Sequence, residues 1–99
     1  MTSNATLEQT QAYFEANSYF GLEAANVFFF KQYFIPCLSD TGKLMLNGKN
    51  TIARAPDGNG GLYRALRDFG PLDDMKKRGI DHVHVYCVDN ILVKVGRRA

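Results

Sequence analysis

The sequence predicts an α/β fold, and three stretches of the 99-residue chain carry that prediction. Val27-Phe28-Phe29-Phe30 is a short continuous apolar run, which is typical of a strand covered on both faces of a parallel sheet. Residues 62–69 carry apolar side chains at helical spacing. Residues 80–88 alternate between apolar and polar side chains, as a strand does. Helices and strands mixed in this order along one chain are typical of α/β domains.

The first half of the chain is predicted to contain a helix, the buried strand and a hairpin. The helix covers residues 6–16, with Thr6 as its candidate N-cap. The strand over residues 27–30 follows it. Asn47-Gly48 then lies between two short runs within residues 43–53, and Asn-Gly in that setting is a hairpin signal. The pattern therefore predicts a small β-excursion from the main sheet.

The second half is predicted to contain two helices and the alternating strand. Gly70-Pro71 ends the first helix, and residues 72–78 form a second helix with cations in its last turn and Gly79 as its cap. After the strand over residues 80–88, residues 91–95 are a further apolar run, either a strand or a turn back along the sheet. Such a thin sheet, apolar on both faces, requires neighbours that this chain does not supply.

Composition excludes several classes of function. The chain is 45% hydrophobic with a net charge of +2, an ordinary globular composition without a clustered basic face, so no nucleic-acid partner is predicted. Cys37 and Cys87 are far apart, which indicates neither a disulfide framework nor a zinc site. No apolar run approaches the ~20 residues of a membrane span, and the start has no signal-peptide pattern. We therefore expect no membrane partner and a cytosolic location.

Two stretches could carry chemistry. Residues 56–61 are rich in glycine and open onto a predicted helix, which suits a phosphate or sugar ligand, although the same residues also form an ordinary turn. Asp89-Asn90 ends the predicted strand, where ligands of α/β sheets gather; a carboxylate there suits Mg²⁺ beside phosphates, or a simple cap.

Two further features are weaker. Gln32 follows the buried strand, and its amide can both donate to and accept from a pyrimidine edge, or simply be solvated. His82 and His84 share a strand face but have no evident third metal ligand, so packing positions are the favoured interpretation.

Read in order, nearly the whole chain resembles the UDP-N-acetylglucosamine pyrophosphorylases, the acetylhexosamine enzymes of the UDPGP type 1 family. The matching segments are Tyr19-Phe20-Gly21-Leu22, Val27, Phe29-Phe30, Gln32, Pro36-Cys37, Gly42-Lys43, residues 55–66, Arg78-Gly79-Ile80 and residues 84–95. The sequence Pro56-Asp57-Gly58-Asn59-Gly60-Gly61 is specific, because relatives that act on other UDP-sugars have a different glycine loop.

The resemblance implies a fold and a reaction. The fold is a Rossmann-like, glycosyltransferase A-like three-layer nucleotidyltransferase domain, of which residues 1–95 are a part and residues 96–99 a divergent tail. In the reaction, UTP and N-acetylglucosamine 1-phosphate give UDP-N-acetylglucosamine and pyrophosphate, with Mg²⁺ required. By the same resemblance, Gln32 reads the uracil, Gly58 offers a backbone contact to the uridine and Asn59 holds the sugar. Asp89 lies beside the α-phosphate and the metal. The resemblance assigns no role to the histidine pair.

Departures from the family pattern predict that the chain is an internal piece. The family's glycine-rich triphosphate loop is missing upstream, the second metal aspartate is missing downstream, and Gly96-Arg97-Arg98-Ala99 replaces the family's Ala-Asp-Pro. We therefore expect the isolated chain to be inactive, since losing a single charge-stabilising group costs ~10²–10³ in rate. The alternatives are a non-catalytic nucleotide-sugar binding or interaction module and a truncated product that does not fold stably.

Overall fold

Helices and short β-pairings alternate along the chain in the computed structural model, which describes residues 1–94. In chain order, the helices and strands are α1 (Leu7–Ala16), β1 (Phe34–Pro36), β2 (Arg54–Pro56), α2 (Gly61–Asp68) and α3 (Pro71–Lys77). Short helical turns at Ser18–Gly21 and Ala24–Asn26 join α1 to the following segment. The chain is thus an α/β segment with a small two-stranded sheet.

Helix α1 forms where its apolar spacing predicts it. Thr6 holds the N-cap position, but its hydroxyl accepts a hydrogen bond from the Ser3 N–H at 3.0 Å instead of capping the helix. The Leu7 N–H donates to the Ser3 carbonyl at 3.0 Å. The predicted side-chain cap is therefore wrong, because the preceding backbone satisfies the first helical donor.

The predicted hairpin excursion is confirmed, and it is larger than the sequence indicates. Strands β1 and β2 pair antiparallel, with Phe34 opposite Pro56 and Pro36 opposite Arg54. Beyond them, isolated antiparallel bridges join Leu38 to Leu44 and Leu46 to Ile52. The Asn47 N–H donates to the Thr51 carbonyl at 2.8 Å and closes the turn predicted at Asn47-Gly48.

The strand predicted over residues 27–30 is wrong. That run has only the N-terminal segment beside it: the Thr2 N–H donates to the Phe30 carbonyl at 2.7 Å, and the Gln32 N–H donates to the Thr2 carbonyl at 2.8 Å. One parallel bridge, between Thr2 and Lys31, results. Apolar side chains can favour a strand, but a ladder requires several consecutive partner residues, and here one is present.

The two predicted helices of the second half are confirmed. Gly70 has a φ of 94° and separates α2 from α3, where Pro71 takes the first position. Gly79 has a φ of 66° and donates to the Lys76 carbonyl at 3.1 Å, while Ile80 donates to the Met75 carbonyl at 3.0 Å. These two bonds form the Schellman cap that the predicted terminal glycine allows.

The strand predicted over residues 80–88, and a strand within 91–94, are not present among the described residues. Val88 and Ile91 are 97% and 93% exposed. The predicted run over 91–95 extends into residues 95–99, which lie outside the described part, as does the predicted tail over 96–99. Residues 80–88 alternate as a strand does and residues 91–94 are mostly apolar, yet no described strand pairs with either segment.

The core of the described segment is small. Its buried residues are Gly61, Ala65 and Pro71, and Ala65 is 0% exposed. The radius of gyration is 16.9 Å, compared with about 13 Å for a compact 100-residue domain. Within residues 1–94, no helix has the length and apolar character that crossing a bilayer requires. The apolar side chains are thus mostly still exposed to water.

Candidate functional site

An open cavity of about 1130 Å³ is bordered by several segments that are distant in sequence. Its walls come from the N-terminal residues and α1, from residues 27–30, from the start of α2 and from residues 83–89. Phe14, Phe29 and Leu62 contribute apolar surface, while Asn59 and Asp89 contribute polar groups. An apolar cavity with a few polar groups is the common form of a small-molecule site.

Two of the four residues that the resemblance assigns to the site line this cavity together. Asn59 comes from the glycine-rich loop before α2, and Asp89 from the end of residues 83–89. Both residues are exposed. Gln32 and Gly58 are not part of the cavity wall. The fold therefore brings a side-chain amide and a carboxylate to one cavity although 30 positions of the sequence separate them.

The other two residues, Gln32 and Gly58, lie just beyond the end of the ribbon that β1 and β2 form. Ile35 lies opposite Ala55 and Phe34 opposite Pro56, and the Asp57 N–H donates to the Tyr33 carbonyl at 2.9 Å, which continues the same register. Gln32 and Gly58 are the next residues along the two chains, and the Gln32 N–H donates to the Thr2 carbonyl at 2.8 Å. Asn59 follows Gly58 directly. The loop that begins at the end of the ribbon therefore also forms part of the cavity wall.

The backbone conformation of the glycine-rich loop, residues 56–61, explains why glycine is needed at two of its positions. Gly58 has a φ of 77°, which is the left-handed region that side chains disfavour. A Cβ at Gly61 would lie 2.6 Å from Asp57 Oδ2 and 2.9 Å from Asp57 Cβ, so the loop backbone could not keep its position. A Cβ at Gly60 would meet nothing within 4 Å. Gly58 and Gly61 are thus required by the local structure, and Gly60 is not.

Asp89 lies in a turn and not at the end of a strand ladder. The Asn90 N–H donates to the Cys87 carbonyl at 3.0 Å, and the Asn90 side-chain oxygen accepts from the Leu92 N–H at 3.1 Å. Asn90 therefore has the capping role that the sequence left open for this pair. The turn leaves the carboxylate of Asp89 at the wall of the cavity.

The described part of the cavity wall offers one carboxylate as a candidate metal ligand. Within residues 1–94, no three His, Cys, Asp or Glu side chains are close enough together to hold a metal ion, and His82 and His84 belong to no such group. Asp89 is the one carboxylate among the described residues that line the cavity. A single carboxylate suits a Mg²⁺ ion whose other ligands are substrate phosphates and water, and it does not suit a cage made by the protein alone.

Sequence reasoning missed a charged cluster next to the ribbon end. Asp68, at the end of α2, accepts from Arg67 Nε at 2.7 Å and from the Tyr33 hydroxyl at 2.8 Å, and Arg64 Nε lies 3.5 Å away. The Arg67 and Tyr33 hydrogen bonds lower the pKa of Asp68 from 3.8 to about 2. The bond to Asp68 raises the pKa of Tyr33. The i,i+4 spacing of Arg64 and Asp68 was a readable signal, but the participation of Tyr33 was not.

Comparison with known proteins decides the family. The family model described as UTP–glucose-1-phosphate uridylyltransferase, UDPGP, matches residues 1–98. The chain belongs to the UDPGP family. A relative of this UDPGP chain from Xenopus tropicalis, UDP-N-acetylhexosamine pyrophosphorylase-like protein 1, is 55% identical over 96% of the chain. The UDP-N-acetylglucosamine pyrophosphorylase of Saccharomyces cerevisiae is 44% identical over 96% of the chain.

The match is to a part of those proteins. The UDPGP chain spans about a fifth of the length of the curated relatives: it covers 19% of the Xenopus protein and 20% of the yeast protein. A crystal structure described as a UDP-N-acetylglucosamine pyrophosphorylase from Entamoeba histolytica is 38% identical, with a TM-score of 0.71 over 81% of this chain and 20% of that one. The fold described above is therefore shared with a segment of a much longer family member.

Proposed function

We propose that this chain is the uridine- and sugar-binding segment of an enzyme that makes UDP-N-acetylglucosamine and pyrophosphate from UTP and N-acetylglucosamine 1-phosphate. One observation carries the proposal. The ribbon leads from its last hydrogen bond, between Asp57 and Tyr33, to the adjacent residues Gly58 and Gln32, and the residue after Gly58, Asn59, lines a cavity together with Asp89. Gly58 and Asn59, adjacent in one loop, thus lie between the end of the ribbon and the cavity wall that contains Asp89.

Recognition of uracil is assigned to the ribbon end. The edge of uracil presents an N–H donor next to a carbonyl acceptor, and a glutamine amide has the complementary acceptor and donor. Gln32 supplies that amide, and the backbone of Gly58 supplies a contact without a side chain in the way. A purine base would present a different edge and a larger ring system at the same place.

Sugar and phosphate recognition is assigned to the cavity. The Asn59 amide can donate to and accept from the hydroxyls and acetamido group of the sugar. Asp89 is the carboxylate for a Mg²⁺ ion, which would supply charge neutralisation at the α-phosphate of UTP. In the chemistry, an oxygen of the sugar phosphate forms a bond to the α-phosphorus while the bond to the leaving pyrophosphate breaks. The contribution of this segment is to hold the reactants in position.

The proposal includes the parent fold. Residues 1–95 are part of a Rossmann-like, glycosyltransferase A-like domain, in which residues 80–88 are a strand of a larger sheet. Their alternation and their exposure support this, since Val83, Val85 and Tyr86 are 53%, 59% and 60% exposed and no described strand pairs with them. In that sheet, Asp89 would lie at the carboxyl end of a strand, where ligands of open α/β sheets bind.

The test is a comparison of two asparagines in the complete enzyme that carries this segment. Asn59→Ala removes the sugar-binding amide, and we expect KM for N-acetylglucosamine 1-phosphate to rise about 10-fold or more, the effect of one lost hydrogen bond, while KM for UTP stays within about twofold. Asn50→Ala, in the exposed turn of the hairpin excursion, is the matched control. An Asn59→Ala enzyme with the kinetics of the control would contradict the sugar assignment.

The isolated chain provides a second test. We expect no pyrophosphate release from UTP, the sugar phosphate and Mg²⁺ by residues 1–99 alone. Calorimetry with UDP-N-acetylglucosamine tests the alternative function, because no heat of binding at millimolar ligand would eliminate the non-catalytic binding module. Turnover by the isolated chain would overturn the idea that this segment requires the rest of the enzyme.

A further inference from the structure

Tyr63 lies in the wall of the open cavity, beside the residue that is proposed to hold the sugar. It comes four positions after Asn59, and Gly60 between them has helical angles of −64° and −31°. The Leu62 N–H donates to the Asn59 carbonyl at 3.2 Å, so the first helical turn reaches back to Asn59. Residues four positions apart in a helix are neighbours on its surface, and Asn59 and Tyr63 therefore lie next to each other along the cavity wall.

The side chains at the start of α2 have different surroundings. Ala65 is 0% exposed and belongs to the core. The Arg64 guanidinium lies 4.2 Å from the centroid of the Tyr33 ring, on the side of the ribbon. Tyr63 is 75% exposed, and its ring forms no aromatic pair within residues 1–94. The packing of the described segment therefore does not engage the Tyr63 ring, which is accessible to a ligand at the cavity wall.

A second tyrosine of the described cavity wall, Tyr86, differs from Tyr63 in its contacts. Tyr86 is 60% exposed, but its ring packs edge-on against the His84 ring, with centroids 5.4 Å apart and planes at 68°. Tyr86 thus has an aromatic partner from its own segment. Tyr63 is the tyrosine of this wall whose ring is unpaired and whose position adjoins Asn59.

We propose that Tyr63 is a further sugar-binding residue: its ring packs against the apolar C–H face of the sugar that Asn59 holds by hydrogen bonds. The inference rests on the function proposed above. A pyranose carries hydroxyls around its rim and C–H groups on its faces, so its site requires polar groups beside apolar surface. The Asn59 amide supplies the polar group and the Tyr63 ring supplies the apolar surface. A tyrosine has two side-chain torsions, so fixing its ring against a ligand costs little conformational entropy.

The test compares Tyr63→Ala with Tyr63→Phe in the complete enzyme. Alanine removes the ring, and we expect KM for N-acetylglucosamine 1-phosphate to rise about 3- to 10-fold, the effect of uncovering one or two carbon groups of the sugar. We expect KM for UTP and kcat to stay within about twofold, since the contact concerns sugar binding alone. Phenylalanine keeps the ring, so Tyr63→Phe is expected to behave as wild type does. Tyr13→Ala is the matched control, because Tyr13 is 61% exposed and lies outside the described cavity wall.

Saturation-transfer NMR with UDP-N-acetylglucosamine tests the contact itself. With the aromatic protons of the enzyme saturated, transfer to the sugar C–H protons, relative to transfer to the uracil protons, should fall in Tyr63→Ala and be kept in Tyr63→Phe. An unchanged ratio would overturn the inference, as would Tyr63→Phe kinetics as impaired as those of Tyr63→Ala, or a lowered melting temperature of Tyr63→Ala with unchanged KM. Wild-type enzyme without turnover of UTP and N-acetylglucosamine 1-phosphate would instead refute the proposed function, so the two failures are distinguishable.

Discussion

Residues 54–79 and residues 80–94 are neighbours in the chain, but only the first stretch forms hydrogen-bonded helices and a strand within the described segment. Residues 54–79 contain β2, α2 and α3, the glycine turns between them and all the buried residues. Residues 80–94 carry an equally regular apolar pattern, yet contain no helix or strand, and Leu92 is 82% exposed. A helix closes its hydrogen bonds within itself, whereas a strand depends on another strand. An apolar strand pattern therefore produces a strand only where another strand is present to pair with it.

The largest expected effect comes from the buried alanine of the first stretch. Ala65→Leu places three extra carbons where the side chain is 0% exposed, and we expect a loss of roughly 1–3 kcal/mol in the free energy of unfolding. Val88→Leu, at a position that is 97% exposed, is expected to change it by less than about 0.5 kcal/mol. Urea unfolding of the isolated chain, followed by helical circular dichroism, measures both. Equal effects at the two positions would mean that residues 80–94 are packed after all.

A smaller effect is expected within the glycine-rich loop. Gly61→Ala brings a Cβ to 2.9 Å from the Asp57 Cβ, an overpacking cost of about 1–3 kcal/mol, partly offset by a gain in helix propensity of about 1 kcal/mol. We therefore expect Gly61→Ala to lower the free energy of unfolding by about 1 kcal/mol. Gly60→Ala is the matched control, because Gly60 has helical angles of −64° and −31° and free space around it. We expect Gly60→Ala to raise the free energy of unfolding by about 0.4–1 kcal/mol, because alanine reduces the conformational entropy of the unfolded chain.

The Gly61→Ala and Gly60→Ala variants also test the proposed site. The displaced Asp57 is hydrogen-bonded to Tyr33, so Gly61→Ala is expected to weaken binding of both uridine and sugar in the complete enzyme. Gly60→Ala is expected to bind as wild type does. If both alanine variants bind alike, then the loop position that the structure assigns to Gly61 is wrong.

The elements that the sequence predicts correctly are those with local signals. The apolar spacing of α1 and α2, the Gly79 cap and the Asn47-Gly48 turn each depend on residues a few positions apart. The register of β1 with β2 is set across the excursion of residues 37–53, and no local pattern specifies it. The family resemblance supplied Asn59 and Asp89 as site residues, but their common cavity required coordinates. Tyr33 offered no signal, because a tyrosine after an apolar run is ordinary.

The smallest expected effect is the acid sensitivity of the contact between the ribbon and α2. The folded protein holds the pKa of Asp68 at about 2, below its ordinary 3.8, mainly through Arg67 and then through Tyr33. A lowered carboxyl pKa stabilises the fold above the unfolded pKa. The contribution of Asp68 is therefore complete above about pH 4 and is lost as the pH falls toward 2. We expect the NMR midpoint of the Asp68 carboxyl carbon near pH 2.

Two variants show which hydrogen bond lowers the pKa of Asp68 more. The same acid titration also compares the cluster around Asp68 with residues 80–94. Arg67→Gln removes the largest cause and should move the midpoint upward more than Tyr33→Phe does. Because the charge pairs are exposed, salt should also raise the midpoint, as screening weakens them. The exchange of amide protons in residues 80–94 should show no change in protection over the same acid range, since the hydrogen bonds and ion pairs of the cluster join Tyr33, Arg64, Arg67 and Asp68 to one another. A wild-type midpoint near 3.8 would mean that Asp68 is solvated and that the hydrogen bond between Tyr33 and α2 is absent.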